Sequence, residues 1–195
     1  MPDTPPPTGT ARGAVFIATS LDGFIARPDG GLDWLEDANA NGQQGEEDFG
    51  YAAFMATVDG LVMGRHSFDK VLSFGAWPYG RLPVFVLSRN PLPLPPGLPD
   101  SIMALGSQLA DPVELMAWLG QRGHRRLYID GGDTIRRFLA AGCIDTLTLT
   151  RIPLLLGQGI PLFGPTPQDI PLTHQETRSY ANGFVQSTYR SLPRP

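Results

Sequence analysis

The chain has 195 residues, a net charge of −4 and one cysteine, Cys143. That length suits one domain whose core needs no covalent staple, and a single cysteine rules out an internal disulfide framework or a multi-cysteine metal site. The acidic balance gives no general attraction to nucleic acid or an anionic membrane, and no apolar run reaches the ~18 residues of a membrane helix.

The first twelve residues, "MPDTPPPTGTAR", carry no cationic start followed by an apolar core, so they do not read as a secretory signal. Their proline and threonine content predicts a disordered lead-in over 1–12. The single domain is then expected over 13–190, in a protein expected to be cytoplasmic.

"GAVFIATS", at 13–20, is almost continuously apolar, as in a strand covered on both faces. "LDGFIA" and the turn-rich "RPDGGLDWL" follow as a loop. Residues 46–56 read as a helix. Phe49, Ala52, Ala53 and Ala56 make its apolar face, and Glu46, Glu47 and Asp48 sit in its first turn, where the helix dipole favours acids. "GLVMG", at 60–64, is a second buried strand, and a helix is expected over 67–72. "LPVFVLSR" is a third strand, and the prolines of "NPLPLPPGLPD" forbid regular structure after it.

Asp111, Pro112 and Glu114 mark a helix start, with Leu115, Met116 and Leu119 as its buried stripe. "RLYIDGG" is a fourth strand, and 134–141 a helix stopped by Gly142. "IDTLTLTRI" is a fifth strand. "PLLLGQGIPLFG" reads as an ordered loop, and 171–178 with 183–189 as an antiparallel pair. Alternating strands and helices predict an α/β fold. Its sheet is mostly parallel and twisted, with helices on both faces and an antiparallel C-terminal edge.

Two strand-to-helix joints are rich in glycine: Gly64-Arg65-His66-Ser67 and Gly131-Gly132-Asp133-Thr134. Each places free backbone N–H groups at a helix start beyond a strand's carboxyl end, where α/β sheets bind anions. Arg65 adds a fixed positive charge. Each joint alone is equally an ordinary capped turn. Ser88-Arg89, closing the third strand, is a further phosphate candidate or simply a polar strand end. The G-x-G-x-x-G fingerprint is absent after the first strand, so any dinucleotide site is not of the Rossmann type. His124 and His174 lack metal partners at ligand spacing, so no metal is expected. Cys143 reads as a small core residue.

"SLDGFIA", "VMGRHSFDKV", "VFVLSR", "LYIDGGDTIRRFL" and "PLLLGQGIPLFG" occur in the order seen in the dihydrofolate-reductase-like superfamily. The chain most resembles the reductase domain of bifunctional riboflavin-biosynthesis proteins and its stand-alone bacterial relatives. The resemblance implies a three-layer dihydrofolate-reductase-like fold and an NADPH-dependent reductase acting on a ribosylamino-pyrimidine, a pterin or folate, or another small molecule. It implies that Arg65, Ser88 and Arg89 hold the adenosine 2′-phosphate, that His66 and Ser67 face the phosphates, and that Gly64 and Leu87 belong to the cofactor site. Gly131, Gly132, Asp133 and Thr134 would cradle the pyrophosphate, and Ala18, Asp22, Gly23 and Ile25 would border the nicotinamide.

Asp48 falls where dihydrofolate reductases carry the acid of the pterin pocket, and is the candidate proton donor; it is equally one of three acids favouring a helix start. Arg81 resembles the arginine that grips the folate carboxylate. Trp34 and Trp77 could wall a pocket, or simply pack, and Phe49 is a further substrate-side candidate. The zinc deaminase motifs that precede the reductase in the bifunctional proteins are absent from this sequence. A homodimer is expected by resemblance. True dihydrofolate reduction, or a degenerate NADPH-binding module without turnover, are the alternatives.

Overall fold

The computed structural model describes residues 9–41 and 48–192. Its eight-stranded sheet runs β5-β4-β3-β6-β1-β7-β10-β9. β1 (Arg12–Ser20), β3 (Gly60–Gly64), β4 (Val84–Leu87), β5 (Ile102–Leu105), β6 (Arg126–Asp130) and β7 (Ile144–Ile152) are parallel. β10 (Val185–Ser191) joins β7 antiparallel, and β9 (Leu172–Ser179) pairs antiparallel with β10 at the edge. β2 (Phe24–Ala26) and β8 (Ile160–Pro161) form a separate small pair.

The central strands are continuously apolar because both faces are covered. On one face α4 (Pro112–Gln121) and α5 (Gly132–Ala140) bury Leu115, Met116, Leu119, Ile135 and Phe138 against Val15, Val62, Leu127, Ile129 and Leu147. On the other face α2 (Tyr51–Met55) and α3 (Arg65–Leu72) set Phe54, Phe68 and Val71 against Ala14, Leu61, Met63, Val84, Val86 and Tyr128. Each fully buried side chain of this size contributes about 1.5–3 kcal/mol. α1 (Asp33–Asn41) joins a third, smaller cluster by packing Trp34 against Ile152 and Phe184.

Several expectations change. Residues 33–41, read as loop, hold α1, and β5 lies beyond the proline-rich segment. The helix expected over 46–56 is reduced to α2. Glu46 and Glu47 lie outside the described residues, and Phe49 (φ 54) and Gly50 (φ 82) break the helix on its N-terminal side. The ordered chain also begins earlier than residue 13. The Ala11 N–H donates to Met116 O, and Gly9 lies so close to Gly120 that a Cβ there has no room. Residues 1–8 of the expected lead-in lie outside the description.

Among the described residues no helix is long and apolar enough to cross a membrane.

Candidate active site

The strand order reverses where β3 and β6 lie side by side. α3 leaves the end of β3 toward one face and α5 leaves the end of β6 toward the other. The crevice between such helix starts, outside the carboxyl ends of the strands, is where open α/β sheets bind ligands.

The two glycine joints meet in this crevice. Gly131 has φ 90, a left-handed conformation that glycine adopts without strain, and a Cβ there would overlap Ser67 Oγ. A Cβ on Gly64 would stand 3.2 Å from Thr134 Oγ1, and Thr134 is buried. A Cβ on Gly132 would meet Ile25 Cδ1 at 2.7 Å. The joints therefore form one surface, with bare backbone at the helix starts and the Ser67 and Thr134 hydroxyls between them. Ile25 walls it.

Gly64 pairs in register with Leu87, so Arg65 and Ser88 follow side by side from neighbouring strand ends. Arg65 is exposed, and its Nε lies 3.4 Å from Asp69 Oδ2, an i,i+4 pair in water that holds it weakly. His66 and Arg89 are exposed. The Ser88 hydroxyl donates to Asn90 O at 2.7 Å. The Asp133 carboxylate points outward, 3.7 Å from Arg136 Nη2, so only its backbone belongs to the cradle.

The segment after β1 is tied to the loop after β7. The Asp22 carboxylate accepts from the Ser20 hydroxyl at 2.6 Å, Leu156 N at 3.1 Å and Gly157 N at 2.8 Å. The Ser20 hydroxyl, reinforced by the Gly157 and Leu156 amides, holds the Asp22 carboxyl below the usual carboxylate range. Leu21 N donates to Leu154 O, and Leu162 N to Gly23 O. Asp22 thus latches the 153–159 loop, while Ile25 on the same segment reaches the crevice at Gly132. Ala18 lies within β1, paired with Thr150.

The expected substrate-side residues are redistributed. Trp34 is 2% exposed and packs on Ile152 and Phe184, so it is core. Phe49 turns to the C-terminal hairpin: its ring lies 4.9 Å from Tyr180 and 5.2 Å from Phe184, and its carbonyl accepts from Gln186 Nε2. Asp48 is exposed, and its oxygens accept from Gly50 N at 2.8 Å and Ala52 N at 2.7 Å. Those amides, Ala52 first, hold its carboxyl below the usual range. Two residues ahead of the Gly50 N-cap, it holds the amides that open α2, as an acid at a helix start does. Arg81 is exposed.

The acid that does enter the crevice is Asp130, the last residue of β6, opposite Met63. Tyr128 lies two residues back on the same face; its hydroxyl donates to Phe16 O at 3.0 Å and lies 3.4 Å from Asp130 Oδ1. Burial pushes the Asp130 carboxyl up, against the opposing pull of the Gly131 amide and the Tyr128 hydroxyl. Burial, and after it the charge of Asp130, pushes up the Tyr51 and Tyr79 hydroxyls. The rings on this face of the sheet pack in one cluster: Phe16 lies 5.7 Å from Tyr51 and 5.0 Å from Phe54, Phe54 lies 5.1 Å from Tyr128, and Trp77 lies 5.3 Å from Tyr79. Asp130 was legible as the one acid closing an apolar strand before two glycines. Its ring partners come from distant segments that sequence does not join.

A separate recess of about 280 Å³, lined by Arg136, Leu139, Phe163, Ile170 and Leu172 among others, shares no residue with the two joints. Among the described residues no group of three or more His, Cys, Asp or Glu side chains is placed to hold a metal.

The chain is 32% identical over 178 residues to the uncharacterized protein YwjB of Bacillus subtilis (strain 168), covering 90% of this chain and 95% of that one. A crystal structure from Shewanella sp. PV-4, named for riboflavin biosynthesis, is 42% identical and superposes with a TM-score of 0.84, covering 93% of this chain and 99% of that one. Dihydrofolate reductase from Enterococcus faecalis, solved with NADP(H), is 18% identical with a TM-score of 0.61, covering 92% of this chain and 96% of that one. The fold is therefore dihydrofolate-reductase-like, as the motif order implied. Residues 13–186 match the RibD C-terminal domain model, and the chain belongs to that family.

Proposed function

We propose that the protein is an NADPH-dependent reductase that transfers hydride to a small ring-bearing substrate. The observation that carries this reading is the meeting of the two glycine joints at the β3/β6 switch point, where a side chain at Gly131 or Gly132 would fill the cradle. Bare amides at two helix starts suit a pyrophosphate. Arg65, with Ser88 and Arg89 at the adjoining strand end, suits a 2′-phosphate. Ile25 borders the nicotinamide end, and Asp130 with its rings faces the substrate end. NADPH supplies the hydride when bound; the protein supplies the cradle, the selection for a phosphorylated ribose and a polarised pocket.

Membership of a family that includes reductases supports the same chemistry. Calorimetric titration with NADPH and NADH tests the reading. Preference for NADPH supports it, and failure to bind either overturns it.

The exposed edge strand β9 supports a further reading, a homodimer paired along that edge. Light scattering tests it: a single-chain mass overturns the dimer.

A further inference from the structure

Three groups from separate segments converge on Gly132, the first residue of α5. A Cβ there would lie 2.7 Å from Ile25 Cδ1, 3.2 Å from Arg136 Nη1 and 3.6 Å from the Pro161 carbonyl oxygen. Arg136, one turn along α5, donates from Nη1 to that carbonyl at 2.5 Å. Its Nη2 lies 3.7 Å from Asp133 Oδ1 on the same helix. Its stem runs over Gly164, where a Cβ would stand 2.8 Å from Arg136 Cδ. Pro161 belongs to β8, which pairs with β2 apart from the main sheet, Phe24 opposite Pro161 and Ala26 opposite Ile160. Leu162 N donates to Gly23 O, and a Cβ on Gly159 would meet Ala26 O and Phe24 Cβ. β2 and β8 therefore form one piece, and Ile25 is carried on it. A two-stranded pair is marginal in water on its own, so its place is set by what fastens it. Buried Leu162 anchors it in the core, and the Arg136 guanidinium adds a charge-assisted bond from the cradle's own helix.

We propose that Arg136 is a positioning residue for the cofactor: by fastening β8, and through it β2, to the start of α5, it sets where Ile25 stands against the nicotinamide. The inference rests on the reading of the glycine joints as the NADPH seat. The phosphates are held by backbone at Gly131 and Gly132 and by Arg65, Ser67 and Ser88, and that hold does not need the Arg136 bond. The nicotinamide end does need it, because hydride transfer requires the ring to be kept in one geometry and Ile25 is the wall that keeps it. Arg136 acts through Pro161 and Ile25, at one remove from the ring.

The test compares NADPH with 2′-phosphoadenosine diphosphoribose, which carries the same phosphates without the nicotinamide. Each is titrated into the full chain as wild type, as Arg136→Met, which keeps a stem over Gly164 and removes the donors, and as Arg136→Lys, which returns one donor. Thermal unfolding confirms that each variant is folded. In Arg136→Met, NADPH should bind roughly tenfold more weakly and the nicotinamide-free ligand within about twofold of wild type. The fluorescence anisotropy of the bound nicotinamide should fall, and Arg136→Lys should recover most of both losses. Equal losses for the two ligands would make Arg136 a charge on the phosphates, and no loss for either would make its bond idle; each result overturns the proposal. Hydrogen exchange without any ligand reads the fastening alone. The Leu162 amide should exchange roughly tenfold faster in Arg136→Met, and an unchanged rate also overturns the proposal. Failure of the wild-type protein to bind NADPH would instead overturn the cofactor reading, and is told apart because the exchange measurement contains no NADPH.

Discussion

Ser67 Oγ occupies the space that a Cβ on Gly131 would need. The residues sit on different strand-to-helix joints, and their contact fuses two ordinary-looking turns into one cradle. Gly131→Ala should therefore lose stability twice over: about 1–2 kcal/mol from the left-handed backbone, and more from the overlap. Ser67→Ala removes the overlap, since a Cβ on Gly131 would lie 3.4 Å from Ser67 Cβ. The double variant should be more stable in urea than Gly131→Ala alone. Strictly additive losses would mean that the joints do not touch.

Asp22 is expected to hold the 153–159 loop against the segment that carries Ile25. Asp22→Ala removes the acceptor of two loop amides, at Leu156 and Gly157. Proteolysis within 153–159 should accelerate, and NADPH affinity should fall. Because the folded carboxyl titrates below its ordinary value, the latch is complete at neutral pH and is lost as pH falls through that depressed value. A cleavage rate equal to wild type would show that the loop is held by other contacts.

Asp48→Ala tests that acid's role at the start of α2. Loss of both bonds to the Gly50 and Ala52 amides should lower stability in thermal or urea unfolding, with turnover per folded molecule retained. Collapse of turnover with stability unchanged would return the proton-donor role to Asp48.

Asp130 has the opposite linkage. Its carboxyl is raised in the folded protein, so folding favours its protonated form. Its contribution to stability is fully present below the unfolded pKa and is lost as pH rises through the folded one, at about 1.4 kcal/mol per pK unit. Asp130→Asn should raise the melting temperature near neutral pH and lose that advantage in acid. A stabilisation independent of pH would show that the carboxyl is not desolvated.

Sequence patterning made the parallel sheet, α4, α5 and both glycine joints legible, because each carries a local signal: a continuous apolar run, a cap with proline, or glycine at a strand end. α1 was hidden because Trp34, its anchor, follows a cluster of turn formers and buries itself against Ile152 and Phe184, far along the chain. β5 is four residues long and follows prolines. Which of two acids is enclosed was hidden for a similar reason. Asp48 and Asp130 both precede helices, and only tertiary packing separates an exposed carboxylate from one that burial raises.

The most direct test of the central claim is titration of Arg65→Ala with NADPH and with NADH. Loss of a charge-assisted phosphate contact, worth about 1.5–3 kcal/mol, should weaken NADPH roughly ten- to a hundredfold while leaving NADH almost unchanged. Equal losses for the two cofactors, or no loss for either, would contradict the assignment of the Gly64-Arg65-His66-Ser67 joint as a phosphate seat.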